Sequence, residues 1–307
     1  MDRHPGDQGR RPQRRGGHVR RGAPAVLPAA HTQGRDEDRG PVVVNAVDLF
    51  AGPGGWDVGA AALGIEPVGI EWDDAACQTR KAAGLLTVQA DVAELDPMDY
   101  APCDLLIASP PCQAWSMAGK RGGERDKEHV VQCLHALAAG NDTRVEHRAR
   151  CEDERSLLVV EPLRWALALE PTLLAFEQVP PVLGLWTLIA ALLEPHGWHC
   201  WTGVLEAERY GVPQTRERAI LMGSRDGMPH PPRATHQRYV PGEPQRYDVT
   251  LEGEILPWVS MAQALGWIDP PCPAPTVTAG GGANGGVEVF GRGGRERLRS
   301  ASREARA

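Results

Sequence analysis

The sequence predicts an α/β fold with a mostly parallel sheet, and three observations carry that expectation. Val42 to Phe50 is a β-branched apolar run that opens into Asp48-Leu49-Phe50-Ala51-Gly52-Pro53-Gly54-Gly55-Trp56, then a helical stretch from Val58 to Leu63. A second short apolar run, Cys103 to Ser109, ends abruptly in Pro110-Pro111-Cys112-Gln113. Between residues 41 and 223 strand-like and helix-like stretches alternate, the pattern of parallel strands joined by crossover helices.

The first turn has the geometry of a nucleotide-type cofactor loop. Its glycines let backbone approach a ligand closely and supply the φ values a tight turn needs. The spacing is neither the dinucleotide G-x-G-x-x-G nor a phosphate-cradling G-x-x-x-x-G-K. Pyrophosphate is therefore disfavoured, and a nucleoside cofactor without phosphates fits better. Carboxylates close the next two strands, in Gly69-Ile70-Glu71-Trp72-Asp73 and in Gln89-Ala90-Asp91-Val92. Singly, each would pass for a helix N-cap or a solvated turn. Their placement after successive strands points to one shared pocket.

Two prolines cannot continue a strand ladder, so the chain must leave the sheet at Pro110-Pro111. Cys112 is thereby held on a rigid loop at the carboxyl end of a strand, where open α/β sheets place their ligands. A buried structural cysteine is the ordinary alternative. The polar Gln113 and Ser116 that follow favour a partly exposed nucleophile instead. A polar insertion is expected from Gly122 to Asp153. Helices are expected over Ser156 to Leu169 and Val182 to Pro195. They flank an apolar strand, Leu173 to Phe176, that delivers Glu177, Gln178 and Val179 before Pro180-Pro181. A late strand is expected from Ala219 to Gly223, and a helix near Ser260 to Leu265.

Composition narrows the classes further. The chain has 307 residues and a net charge of −7, so contact with nucleic acid would need a local basic cleft. Its seven cysteines are odd in number and include no C-x-x-C pair, which fits a reducing cytoplasm without a disulfide framework or structural zinc. No apolar run approaches membrane-spanning length, so no membrane partner is expected. Residues 1–40, with Arg10-Arg11-Pro12-Gln13-Arg14-Arg15 and Arg20-Arg21, are basic and unpatterned, and are expected to be disordered. A basic arm on DNA and a tail without a role both remain open.

Taken together, Asp48 to Gly55, Glu71-Trp72-Asp73, Asp91-Val92, Pro110-Pro111-Cys112-Gln113 and Glu208-Arg209-Tyr210-Gly211-Val212-Pro213-Gln214-Thr215-Arg216-Glu217-Arg218 resemble the C5-cytosine DNA methyltransferase family, in that family's order. The resemblance implies a Rossmann-like S-adenosylmethionine-dependent methyltransferase fold over residues 41–223. It also implies a partial target-recognition region over 224–307. S-adenosylmethionine would contact Asp48, Phe50, Gly52, Gly54, Gly55, Glu71, Trp72, Asp91, Val92 and Pro110. Glu71 would bind both ribose hydroxyls, Trp72 would face the adenine ring, and Asp91 would accept from its amino group. Cys112, Glu177, Arg216 and Arg218 would be catalytic, with Gln113, Ser116, Gln178 and Gln214 at the substrate. That substrate would be duplex DNA with a flipped cytosine, handled by a monomer beside a cognate restriction endonuclease, with no metal. Some members of the fold family act on tRNA, which stays open as an alternative.

Two departures bear on activity. The family has Glu-Asn-Val where this chain has Glu177-Gln178-Val179, and the extra methylene is expected to displace a bond that positions a neighbouring loop. The family also returns with a closing Gly-Asn-(Ala/Ser)-Val helix, and no such segment occurs here. Pro275 to Gly282 is expected to belong to the small domain's framework, and Arg295 to Ala307 to be a solvated tail. On this basis a truncated or frame-altered, weakly active remnant is a further expectation.

Overall fold

The computed structural model describes residues 44–115, 122–250, 253–266 and 272–275. Ser116, the basic stretch 1–40, residues 276–282 and the tail 295–307 lie outside the described residues. Strands β1 (Ala46–Leu49), β2 (Val68–Glu71), β3 (Thr87–Gln89) and β4 (Leu105–Ala108) are separated by α1 (Gly55–Ala61) and α2 (Asp74–Ala82). Helices α3 (Gly122–Ala138), α4 (Arg144–Arg148) and α5 (Glu161–Leu169) lead to β5 (Leu173–Gln178). Then come α6 (Leu183–Leu193), β6 (His199–Glu206), β7 (Gln214–Thr215) and β8 (Glu217–Ser224). The last described elements are β9 (Asp248–Thr250), β10 (Gly253–Ile255), α7 (Met261–Leu265) and β11 (Ala274–Pro275).

Seven strands form the main sheet in the order β3-β2-β1-β4-β5-β8-β6. β1 pairs in parallel with β2 and β4, as do β2 with β3 and β4 with β5. β8 runs antiparallel between β5 and β6, so the mostly parallel sheet carries one reversed strand. The central strands are buried on both faces, as helix-covered parallel strands require, and Leu106, Ile107 and Ala108 are at most 2% exposed. After β1 the chain winds toward β2 and β3, and after β4 it winds the other way toward β5. The sheet therefore changes direction between β1 and β4. A crevice opens outside the carboxyl ends of those two strands, where such folds bind ligands.

Several elements differ from expectation. The stretch from Gly122 to Asp153 begins with a 17-residue helix, α3. Its apolar positions Val130, Cys133, Leu134 and Leu137 recur at the spacing of one helical face and are buried in the core. Glu124, Arg125, Lys127 and Glu128, which made the stretch look like a polar insertion, are exposed, while Asp126 is buried on the core face and accepts from Ser156 Oγ and Glu152 N–H. The helix expected from Ser156 starts later, because Pro162 lacks an N–H and would clash with the carbonyl four residues earlier. The chain runs as a 3-10 turn over Glu154–Val160, and α5 begins with Pro162 in its first turn, where the missing donor is harmless. α6 stops at Leu193, two residues before Pro195, and a short 3-10 turn follows. Strand β6 and the β9–β10 hairpin had no counterpart in the expectation. The helix expected near Ser260 is α7, with Ser260 and Gln263 forming a reciprocal capping box.

Two fully buried tryptophans tie helices and loops to the sheet. Trp186 donates from Nε1 to the Ala219 carbonyl at 3.2 Å and Trp198 donates to the Pro171 carbonyl at 3.0 Å. No helix among the described residues is long and apolar enough to cross a membrane. If α3 is part of the core, Leu134→Ala should cost about 2–5 kcal/mol of stability. Val145→Ser, at a position 81% exposed, should stay within about 0.5 kcal/mol. Urea unfolding of the two variants checks both values.

Candidate active site

The crevice is lined first by the turn after β1. Phe50 and Gly52 adopt left-handed backbone at φ 58° and 53°, and Gly54 sits at φ 103°. Three such residues within five reverse the chain tightly enough to start α1 directly at Gly55. At Gly54 a Cβ would also stand 2.2 Å from Leu85 Cδ1, so no side chain fits. Over Gly52 and Gly55 the opposite holds, since nothing lies within 4 Å of where a Cβ would stand. The backbone there is open to close approach by a ligand.

Glu71, 8% exposed, locks this turn to the end of β2. Its Oε2 accepts from Gly52 N–H at 2.8 Å, and its Oε1 accepts from Trp72 and Asp73 N–H at 2.8 and 2.7 Å. A carboxylate has roughly four lone-pair sites, so three backbone donors leave one, on Oε2. A contact to both ribose hydroxyls would need a shared site or a released backbone bond. Trp72 is 69% exposed and presents its indole unpacked. Asp91 is partly buried and caps the turn after β3 by accepting from Ala93 N–H at 2.9 Å, which is the capping role weighed for it above. Val92, expected at the cofactor, is buried in the core at 2% exposed, and its carbonyl accepts from Arg164 Nη2 at 2.9 Å.

The turn after β4 carries the cysteine. Pro110 is buried and Cys112 and Gln113 are exposed. Gln178, 2% exposed, lies behind this turn. Its amide nitrogen donates to the Pro110 carbonyl and its amide oxygen accepts from Val179 N–H, both at 2.5 Å. The longer side chain thus makes a bond to the cysteine turn, where its extra methylene was expected to displace one. With both ends of the amide engaged inside the chain, Gln178 supports the loop from the rear of the site. Glu177 is held through Oε1 by Arg218 Nε at 2.5 Å and Arg216 Nη2 at 3.6 Å. Burial and the adjacent Arg218 cation lower the Arg216 pKa, while the Glu177 and Cys112 side chains oppose that shift. The other three expected catalytic residues, Cys112, Glu177 and Arg218, thus lie within electrostatic reach of Arg216. Gln214 lies in β7, which pairs in parallel with β11 through Gln214 and Ala274.

A bond that sequence reasoning missed joins the two turns. Trp56 donates from Nε1 to Ser109 Oγ at 2.9 Å, linking the first turn of α1 to the residue that precedes Pro110. Both residues stand beside quoted motifs, but only the pairing of β1 with β4 brings them together.

The C-5 cytosine-specific DNA methylase family model matches residues 44–137 and 144–255. The chain belongs to that family. The match continues past residue 223, the boundary expected from the sequence. The Type II methyltransferase M.AquIA of Picosynechococcus is 27% identical over 256 residues, 74% of this chain and 90% of that protein. M.DdeI of Desulfomicrobium norvegicum is 27% identical over 61% of this chain and 42% of its own length. M.NlaX of Neisseria lactamica is 31% identical over 58% of this chain and 51% of its own. The chain thus spans most of one relative and about half or less of the other two.

In this methylase-family chain Asp48 is the least expected of the site residues. It is fully buried in β1, and neither carboxylate oxygen finds a hydrogen-bond partner among the described residues. Burial, and after it the nearby Asp57 carboxylate, hold its pKa well above the usual carboxylate range, with Arg80 opposing. A raised folded-state pKa makes Asp48's contribution to stability most favourable below the ordinary value of 3.8. That contribution is lost as pH rises toward the folded-state value. Asp48→Asn should therefore melt progressively higher relative to the parent as pH is raised above about 4. Calorimetric melting across pH measures the difference, and parallel curves would show that Asp48 is not held neutral.

Proposed function

We propose that the chain transfers a methyl group from S-adenosylmethionine to C5 of cytosine in DNA. The observation that carries this reading is the joined pair of turns at the β1–β4 crevice. One offers open glycine backbone, and the other offers an exposed Cys112 beside Glu177, Arg216 and Arg218. The residues suit the cofactor. Open backbone at Gly52 and Gly55 leaves room for its amino-acid end, the free Oε2 site of Glu71 can accept from ribose, and the exposed Trp72 face can meet adenine. Bound there, S-adenosylmethionine would supply a methyl group on a sulfonium, the electrophile that cytosine C5 requires.

The chain's own residues would prepare the base. Cytosine C5 is a poor nucleophile, so the Cys112 thiolate adds at C6 and makes C5 enamine-like. Glu177 shares a proton with N3 and neutralises the negative charge that builds on the ring as sulfur adds. Arg218 and Arg216 fix Glu177 and can turn a guanidinium toward cytosine O2 or a nearby phosphate. After methylation the C5 proton leaves to a base, the C6–S bond breaks, and the thiolate and the aromatic ring are restored. The atoms of a paired and stacked base are not accessible to both the thiolate and the cofactor, so the target cytosine would be flipped out of the duplex. The bond from Gln178 to Pro110 supports an active loop, against the remnant alternative. The relatives' Type II names make a partner restriction endonuclease part of the same reading. Duplex DNA and tRNA offered separately with labelled cofactor distinguish the two nucleic-acid substrates.

Cys112→Ser should abolish methyl transfer, because an alkoxide is not available near neutral pH. Cofactor binding should persist, and substantial turnover by the serine variant would remove Cys112 from the mechanism. Glu71→Ala should weaken S-adenosylmethionine by about 1.5–3 kcal/mol, the usual loss for hydrogen bonds to a charged group. Trp72→Ala should weaken it further through lost stacking. Titration calorimetry measures both, and parent-like affinity in both variants would mean that the end of β2 does not bind the cofactor.

A further inference from the structure

We infer that Arg80 and Asp57 form a positioning pair that sets the shape of the Ala51–Gly55 turn, so that cofactor affinity depends on a guanidinium that never touches the cofactor. The inference rests on the cofactor reading of that turn. Arg80, in α2, is 0% exposed and Asp57, in α1, is 2% exposed. An arginine has five N–H donors, and here every one is used. Nη1 donates to Asp57 Oδ2 at 2.8 Å and to the Ala51 carbonyl at 3.4 Å. Nη2 donates to Asp57 Oδ1 at 2.7 Å and to the Leu86 carbonyl at 3.0 Å, and Nε donates to Thr87 Oγ1 at 2.9 Å.

These partners are not scattered through the core. Ala51 belongs to the turn, Asp57 lies in the first turn of the helix that the turn opens into, and Leu86 and Thr87 stand at the entry to β3. The guanidinium reaches them by crossing the sheet face at Gly69, which is in register with Asp48 of β1 and Thr87 of β3. A Cβ at Gly69 would stand 1.9 Å from Arg80 Nη2 and 2.9 Å from Ala51 Cβ. The slot is thus open only because position 69 is glycine. A buried ion pair is weak evidence of stability, since well-packed apolar residues often serve the fold as well. What apolar residues cannot do is fix a carbonyl and a carboxylate together in the planar fork of one guanidinium.

The test uses the full chain. Arg80→Lys keeps a charge opposite Asp57 but offers a single nitrogen, which cannot reach all four partners at once. Gly69→Ala displaces the guanidinium without changing any polar residue. Both variants should still melt cooperatively and keep the parent's KM for DNA. Their KM for S-adenosylmethionine should rise roughly 10- to 100-fold, by analogy with the loss when a residue that supports a metal's ligands is removed. Their kcat at saturating cofactor should stay within about two-fold of the parent, and so should the cofactor KM of Thr87→Val, which loses the two bonds of Thr87 Oγ1, to Arg80 Nε and to the Leu85 carbonyl, but none to the turn. Folded Arg80→Lys and Gly69→Ala proteins with the parent's cofactor KM would overturn the inference, even if they melted at lower temperature. If Arg80→Lys does not fold, Gly69→Ala decides alone. If neither folds, the pair serves the fold and the inference is wrong. A parent chain that binds no S-adenosylmethionine would sink the cofactor reading and this inference with it, whereas parent-like binding by both variants sinks the inference alone.

Discussion

The parallel pairing of β1 with β4 is the constraint on which the site depends. The two strands are far apart in sequence and their connections wind in opposite directions, so their carboxyl ends meet with no crossover helix over them. The glycine turn and the cysteine turn each follow one of these strands. Val47 is in register with Leu106 and Leu49 with Ala108, so the two turns leave the sheet at the same level. The Trp56–Ser109 bond then joins them above the sheet. A slip of one residue would turn one strand's side chains to the opposite face and set the two turns at different levels.

The polar groups of the site are held mostly by other polar groups of the chain, which follows from where they sit. Burying a charge without a partner is expensive, so Glu71 takes three backbone donors and Arg80 uses all five of its own. Glu177 faces two arginines for the same reason. Asp48 departs from this pattern, and its raised pKa is the consequence, since a carboxyl that cannot find a donor avoids the cost by remaining neutral. Cys112, Gln113 and Trp72 are exposed, and they follow the carboxyl ends of β4 and β2.

Family membership adds a chemical logic to that geometry without replacing it. A cytosine C5 reaction requires a nucleophile, a group that handles a ring proton, and a methyl donor along one line of approach. Cysteine and carboxylate are delivered by the adjacent strands β4 and β5, and the donor's expected cradle by β1 and β2. Gln178 ties the end of β5 to the cysteine turn, its amide nitrogen donating to the Pro110 carbonyl and its amide oxygen accepting from Val179 N–H.

By itself the sequence determined strands β1 to β5 and β8, the turns after them and the residue types at the site, because each is a local matter. A β-branched run, a glycine-rich turn, a double proline and a carboxylate after a strand act through their own backbone and immediate neighbours. It did not reveal α3 as a core helix, since the charges of Arg125 to Glu128 hid an apolar face that only packing against α5 and α6 makes decisive. Nor did it single out Asp57 and Arg80, which look like ordinary surface charges of two amphipathic helices. Tertiary structure alone decided that pair, the Trp56–Ser109 link and the level at which Cys112 meets the glycine turn. Each joins segments that come together only when the sheet closes, where a side chain's role is set by what lies opposite it.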